Sequence, residues 1–351
     1  MPQQTSASLA KHKPVIMGGK KIKTVDVHCH IHVPEVVSFL KGTPLESIAA
    51  TAVAMQGYGN PPLEGARLEM MDKEGIDVQA LSVNPFWYAA DRDLAARLID
   101  FENQKLAEIM QTAPAGRFVA FGTVALQFPD LAAMQLEDAM KMGLKGATIA
   151  GSVRGEELSL AKYDVFWSKA EELQAPIFMH PNTQTAADDT GITNRAEGNG
   201  VLRNVIGNPL ETTIFLSHMI FEGALDRHPG LKLCCAHGGG YLPSYADRMD
   251  HGCLVFPDQC KNSPLKKPPT EYLKQIYVDS LVFTPEALRH LVAVMGATHI
   301  MLGTDYPFPW TENGPGTLGP VDHVFATSGL TDAQKVDMLG GNACKWIGIP
   351  S

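Results

Sequence analysis

Val25-Asp26-Val27-His28-Cys29-His30, near the start of the chain, reads as a β-strand. Successive side chains of a strand point to opposite faces, so His28 and His30 share one face while Val25 and Val27 take the other. Two imidazoles then converge on one point, and neutral imidazole is a ligand for divalent metals such as zinc, iron, nickel and copper. A His-x-His pair alone also fits two ordinary buried histidines, so its meaning depends on the rest of the chain. Cys29, between them, is turned away by the same alternation.

Seven further apolar runs follow, at 78–84, 118–126, 147–150, 177–180, 231–237, 276–283 and 299–305. Between them lie amphipathic helical patterns at 63–74, 94–111, 131–142, 163–173, 211–227, 242–251 and 285–295, with a last helix at 332–346. Strands alternating with helices of this length predict βαβ units and a parallel sheet, and eight strands predict an α/β fold of the (β/α)8 barrel type. No repeat or linker divides the chain, so residues 24–351 read as one domain behind a polar leader, 1–23. Three long connections, 33–62, 181–209 and 252–270, are read as following strands 1, 5 and 6, where pocket walls or a subunit contact belong.

Such barrels carry their chemistry at the carboxyl ends of the strands. His28 and His30 end the first run, His180 the fifth, His237 the sixth and Asp305 the eighth. A catalytic metal needs at least three protein ligands with a position left open, and His28, His30, His180 and Asp305 offer three imidazoles and a carboxylate. Taken singly, His180 also fits a histidine bonded to a loop carbonyl, and Asp305 a helix cap or a turn before Pro307. His237 precedes Gly238-Gly239-Gly240, which lets backbone approach a ligand closely. It suits general acid/base work beside the metal, a fifth ligand position or a structural role. Lys145 falls at the start of the fourth run, well below the rim, so a lysine bridging two metals is not expected and the site reads as mononuclear.

A substrate carboxylate calls for an arginine fork, and Arg154 and Arg195 lie beyond the fourth and fifth strands, though each also fits a surface position. Phe86, Trp87 and Tyr88 follow the second strand, and Phe308 and Trp310 the eighth. They read either as aromatic walls for a planar, unsaturated substrate or as core and interface anchors. Asp279 and Ser280 follow the apolar stretch of the seventh strand, and their side chains suit orienting a histidine. His32, His218, His228, His251, His290, His299 and His323 read as structural.

The 351 residues carry a net charge of -9, and Lys20-Lys21-x-Lys23 is the one dense basic run, which argues against a nucleic-acid surface. No apolar run reaches the roughly 18–20 residues that span a bilayer, and no secretory pattern opens the chain, so a cytoplasmic protein is expected. The six cysteines lack metal-binding spacing and are expected as reduced thiols.

Together, His28-x-His30, His180-Pro181, His237-Gly-Gly-Gly, Tyr277-Val-Asp-Ser280 and Leu302-Gly-Thr-Asp305-Tyr-Pro-Phe-Pro309 resemble the amidohydrolase-2 branch of the amidohydrolase superfamily, from about Val25 to the C-terminus. The resemblance implies one divalent metal, zinc first and manganese second, held by His28, His30, His180 and Asp305, with His237 as acid/base and no organic cofactor. It implies non-oxidative decarboxylation of an unsaturated or aromatic carboxylic acid, in a homodimer. Members acting on a muconate semialdehyde carry an arginine before the first barrel helix and an aromatic after the His-Pro pair. This chain has no arginine before Arg67 and has Asn182 after Pro181, which sets its substrate apart. Two proton routes are open: His237 deprotonating a metal-activated water, or Asp305 protonating carbon. Other readings are a hydrolase or hydratase acting on a lactone, amide or conjugated acid, and a barrel kept as a binding scaffold.

Overall fold

The computed structural model describes residues 12–55, 60–182, 195–196, 201–261, 263–310 and 318–351. Its central strands are β1 (Val25–His30), β2 (Val78–Ser82), β3 (Phe118–Ala120), β4 (Ala147–Ile149), β5 (Pro176–Met179), β6 (Lys232–Cys235), β7 (Ile276–Asp279) and β8 (Ile300–Met301). They pair in parallel in two arcs, β1-β2-β3 and β4-β5-β6-β7-β8. A Gly122–Ala147 bridge joins the arcs on one side and Cys29–Tyr306 on the other. Val27 N donates to Leu302 O at 2.9 Å and His30 N to Tyr306 O at 2.7 Å, closing the ring between the two ends of the chain.

The helices between the strands include α1 (Ala66–Glu74), α2 (Arg92–Thr112), α3 (Pro129–Lys141), α4 (Asp164–Glu172), α5 (Asn208–Phe221), α6 (Ala246–Val255) and α7 (Pro285–Met295). α2 begins where the Asp91 carboxylate accepts from Leu94 N at 2.8 Å, and it buries Leu94, Leu98, Ile99 and Leu106 on one helical stripe. The ring interior holds Val25, Val27, Val78, Ala80, Phe121, Phe178, Cys234, Ala236 and Met301, capped from below by Trp346 and Ile347. These last belong to α8 (Asn342–Ile347), whose Trp346 ring lies 5.6 Å from Phe121.

Four features depart from the sequence reading. First, the β1–β2 register shifts by one residue between Asp26 and Cys29. Val25 and Val27 therefore join the interior beneath the histidines rather than the opposite face, and the Phe178 ring of that interior sits 5.2 Å from His28. Second, the C-terminal helix is interrupted: Asp332–Val336 and α8 are separated by a wide turn, Asp337–Gly341, where Gly340 passes so close to Lys23 O that a Cβ would lie 2.0 Å from it. Third, 252–270 starts inside α6 and enters β7 from the helix side, so it does not leave the end of β6. Fourth, Cys253 and Cys260 on that connection, with Cα atoms 5.3 Å apart, form a disulfide; Cys29, Cys234, Cys235 and Cys344 are free and buried.

Part of the polar leader is packed: residues 12–23 include a two-stranded hairpin with Val15 in the core and His12 between Asp72 and Asp77. Among the described residues no helix is long and apolar enough to cross a membrane.

Candidate metal centre

His28 and His30 end β1, His180 follows β5, and Asp305 follows β8; one ligand atom from each lies within 4.8 Å of the others, and all four side chains are buried. Asp305 Oδ1 stands 2.8 Å from His30 Nε2, 3.1 Å from His28 Nε2 and 3.8 Å from His180 Nε2. The ring nitrogens facing away from this point are held: His28 Nδ1 donates to Asp279 Oδ2 at 2.6 Å, and Ser82 Oγ lies 3.1 Å from His30 Nδ1. Fixing Nδ1–H in this way directs the Nε2 lone pair inward.

Burial lowers the His180 pKa well below its usual value, with His30 and His28 adding to the effect, and burial lowers His30 as well. Burial disfavours the cation of His28 too, but the Asp305 and Asp279 carboxylates outweigh it and raise this histidine to about 10. Burial opposes ionisation of Asp305, yet His28 and the neighbouring imidazoles hold it well below the carboxylate range. The cluster thus sets a fixed anion, Asp305, beside one imidazole whose cation the carboxylates favour, His28, and two that burial keeps neutral, His30 and His180. Neither nitrogen of His180 nor His28 Nε2 has a hydrogen-bond partner, although all are buried. Buried polar atoms are nearly always partnered, and two unpartnered Nε2 atoms, of His28 and His180, facing one carboxylate oxygen fit a divalent cation.

His237 stands just outside, its Nε2 3.6 Å from Asp305 Oδ2 and its ring 5.2 Å from that of His180. His237 and Asp305 both adopt left-handed backbone, φ 58° and 59°, a costly conformation that surrounding structure must enforce. The glycines after His237 also have positive φ, and a Cβ on Gly240 would lie 2.2 Å from Pro209 O. Close packing on α5 and the turn geometry account for these glycines without a ligand. Gly303 has a similar part, since a Cβ there would come within 2.8 Å of Asp279 Cβ and 3.0 Å of His28 Cβ.

The other expected site residues are scattered. Phe308 lies at the cluster, its ring 6.0 Å from that of His30. Phe86 packs beside His32 at 6.1 Å. Asn182 Nδ2 donates to Pro85 O. Trp87 is fully buried and its indole N–H is spent on Val124 O at 2.9 Å, which makes it a core anchor rather than a wall. Arg154 is exposed at the tip of a hairpin formed by Ser152–Val153 and Glu156–Glu157, because the chain turns back after β4, and Arg195 is exposed too. Among the described residues no hydrogen bond or ion pair ties either arginine to the cluster.

Two supports were not read from the sequence. Asp26 Oδ2 accepts from Thr304 Oγ1 at 2.7 Å and Gln79 Nε2 at 2.9 Å, and Arg67 donates to Gln79 Oε1 at 3.0 Å and to His30 O. This buried chain ties β1 and β2 to the turn carrying Asp305; the polar Asp26 and Gln79 inside apolar strands were its signal. The second support is Trp310, whose indole N–H donates to Asp305 Oδ2 at 2.7 Å.

A family model described as amidohydrolase matches residues 25–349. The chain belongs to the amidohydrolase family. This amidohydrolase is 33% identical to a 2-amino-3-carboxymuconate-6-semialdehyde decarboxylase of Dictyostelium discoideum over 81% of its own length and 76% of the relative's. It is 28% identical to a gamma-resorcylate decarboxylase of Rhizobium radiobacter, over 80% of this chain and 88% of that one. A crystal structure of 5-carboxyvanillate decarboxylase from Novosphingobium aromaticivorans, complexed with manganese and 4-hydroxy-3-methoxy-5-nitrobenzoic acid, superposes with a TM-score of 0.79 at 23% identity, over 98% of this chain and 100% of that one. At that identity the likeness speaks to the shared barrel fold.

Proposed function

We propose that this amidohydrolase is a metal-dependent, non-oxidative decarboxylase of aromatic or unsaturated carboxylic acids. The observation that carries the reading is the convergence of His28, His30, His180 and Asp305 within 4.8 Å, with His237 beside them. His28, His30, His180 and Asp305 would hold one divalent cation. Three imidazoles and one carboxylate favour zinc, and manganese, held by the Novosphingobium enzyme, is the alternative that elemental analysis distinguishes. When bound, the cation supplies a Lewis acid that fixes the substrate's oxygens.

Loss of carbon dioxide breaks a carbon–carbon bond and leaves its electron pair on the substrate carbon, so one proton must be delivered there. His237 Nε2 is placed to hold and move that proton, while Asp279 and Ser82 keep the neighbouring imidazoles in one orientation. Phe308 offers an aromatic face next to His30. The likeness to decarboxylases of aromatic and muconate-type acids supports this substrate class.

A homodimer belongs to the same reading, supported by the exposed apolar side chains of Leu254, Val255 and Phe256 on and beside α6. Light scattering of the purified protein tests it. A cytoplasmic location is carried forward as well, and cell fractionation tests it.

The deciding experiment measures carbon dioxide release from a panel of hydroxybenzoic and muconate-type acids. Release by wild type, with His237→Gln retaining metal but slower by about 10²- to 10⁴-fold, is the expected result. Hydrolysis of lactones or amides without gas would overturn it.

A further inference from the structure

Asp305 presents its two oxygens to different neighbours. Oδ1 faces the three Nε2 atoms of His28, His30 and His180, whereas Oδ2 accepts the Trp310 indole N–H at 2.7 Å. His237 Nε2, at 3.6 Å from Oδ2, is too far for a hydrogen bond. From these contacts we infer that Trp310 is a positioning residue for the cation: its N–H pins Asp305 so that one oxygen alone serves as ligand.

The chemistry of the indole suits this part. It donates and never accepts, and it carries no charge. It therefore satisfies Oδ2 without competing for the metal. Hydrogen bonds to the non-ligating oxygen of a carboxylate fix its orientation, and such outer partners are worth roughly 10- to 100-fold in metal affinity. The ring is itself supported: it packs 5.6 Å from Phe283, which follows β7, so an aromatic pair spans the rim between the seventh and eighth strands. Trp87, Trp167 and Trp346 are sealed in the core, whereas Trp310 is only half-buried, so its replacement does not open a cavity in the barrel.

Holding Oδ2 has a further effect. With the oxygen already satisfied, Asp305 has less call on the imidazole of His237, which stays available to the substrate. The assignment rests on the metal-centre reading, and its test is chosen to separate the two.

The test titrates the full-length, metal-stripped protein with Mn²⁺ and with Zn²⁺ by calorimetry, comparing wild type, Trp310→Phe and Trp310→Gln. Phe keeps the ring and loses the N–H; Gln keeps an N–H donor and loses the ring. The expected result is one cation per wild-type chain, a roughly 10- to 100-fold weaker Kd in Trp310→Phe and an affinity near wild type in Trp310→Gln. Unchanged affinity in Trp310→Phe overturns the assignment, and so does an equal loss in both variants, which would make ring packing the cause. Wild type that takes up no stoichiometric cation overturns the metal-centre reading, and the role of Trp310 with it.

Discussion

Asp279 serves two histidines at once. Its Oδ2 accepts from His28 Nδ1 at 2.6 Å and from the His237 backbone N–H at 2.8 Å, while Oδ1 accepts from Gly238 N at 2.8 Å and Leu281 N at 3.0 Å. Burial alone would raise its pKa, but the bond from His28 and the surrounding positive and N–H groups bring it below the usual carboxylate value. The side chain therefore orients a proposed ligand and fixes the left-handed turn that presents His237. Replacing Asp279 by Asn removes the charge and offers an amide N–H where a donor already points. We expect Asp279→Asn to weaken metal affinity by roughly 10- to 100-fold, read by calorimetry, and to lower turnover even at saturating metal because His237 is displaced. His237→Gln should differ in kind, keeping its cation and losing turnover.

At the scale of elements, α2 carries an acidic side chain where the packing has no place for its charge. Glu102 is fully buried against the barrel, neither carboxyl oxygen has a hydrogen-bond partner, and burial pushes its pKa up to about 8 from an ordinary 4.5. Between those two values the folded chain keeps a proton that the unfolded chain has lost, so stability is greatest below the lower value and falls as pH rises through the window. Glu102→Gln should remove this slope, with a stability gain on the order of a few kcal/mol near pH 8 and little change near pH 5, measured by urea unfolding. β1 shows what a strand pattern can and cannot reveal. Alternation was enough to put His28 and His30 on one side, and a polar residue at each strand end was enough to gather His180, His237 and Asp305 at one rim. The one-residue shift before Cys29 escaped it, because that shift is accompanied by Asp26 bonds to Thr304, 278 positions later. The bond from Trp310 to Asp305 escaped for a related reason: a turn between two residues five positions apart, not a period, brings them together. Arg154 and Arg195 take the surface alternative, because distance along the chain from a strand end says nothing of the direction in which the chain then turns.

For the whole molecule, the proposed centre joins β1, the β5 end and the turn after β8, so a bound cation fastens the same ring that the Cys29–Tyr306 bridge closes. A ligand that binds the folded chain alone adds about 2.7 kcal/mol at a free concentration of 100 Kd. Chelation should lower Tm, and restoring Zn²⁺ or Mn²⁺ should raise it again, as calorimetry would show; an unchanged Tm would mean that nothing is held there. The closure has a consequence for how the protein is made. The carboxylate that completes the set of His28 and His30 lies 275 residues further on from His30, and α8, which plugs the barrel from beneath, is made after it. A nascent chain halted before Asp305 owns only imidazoles and an open ring. The full set proposed to hold the cation therefore exists only once Asp305 has been made and folded onto β1.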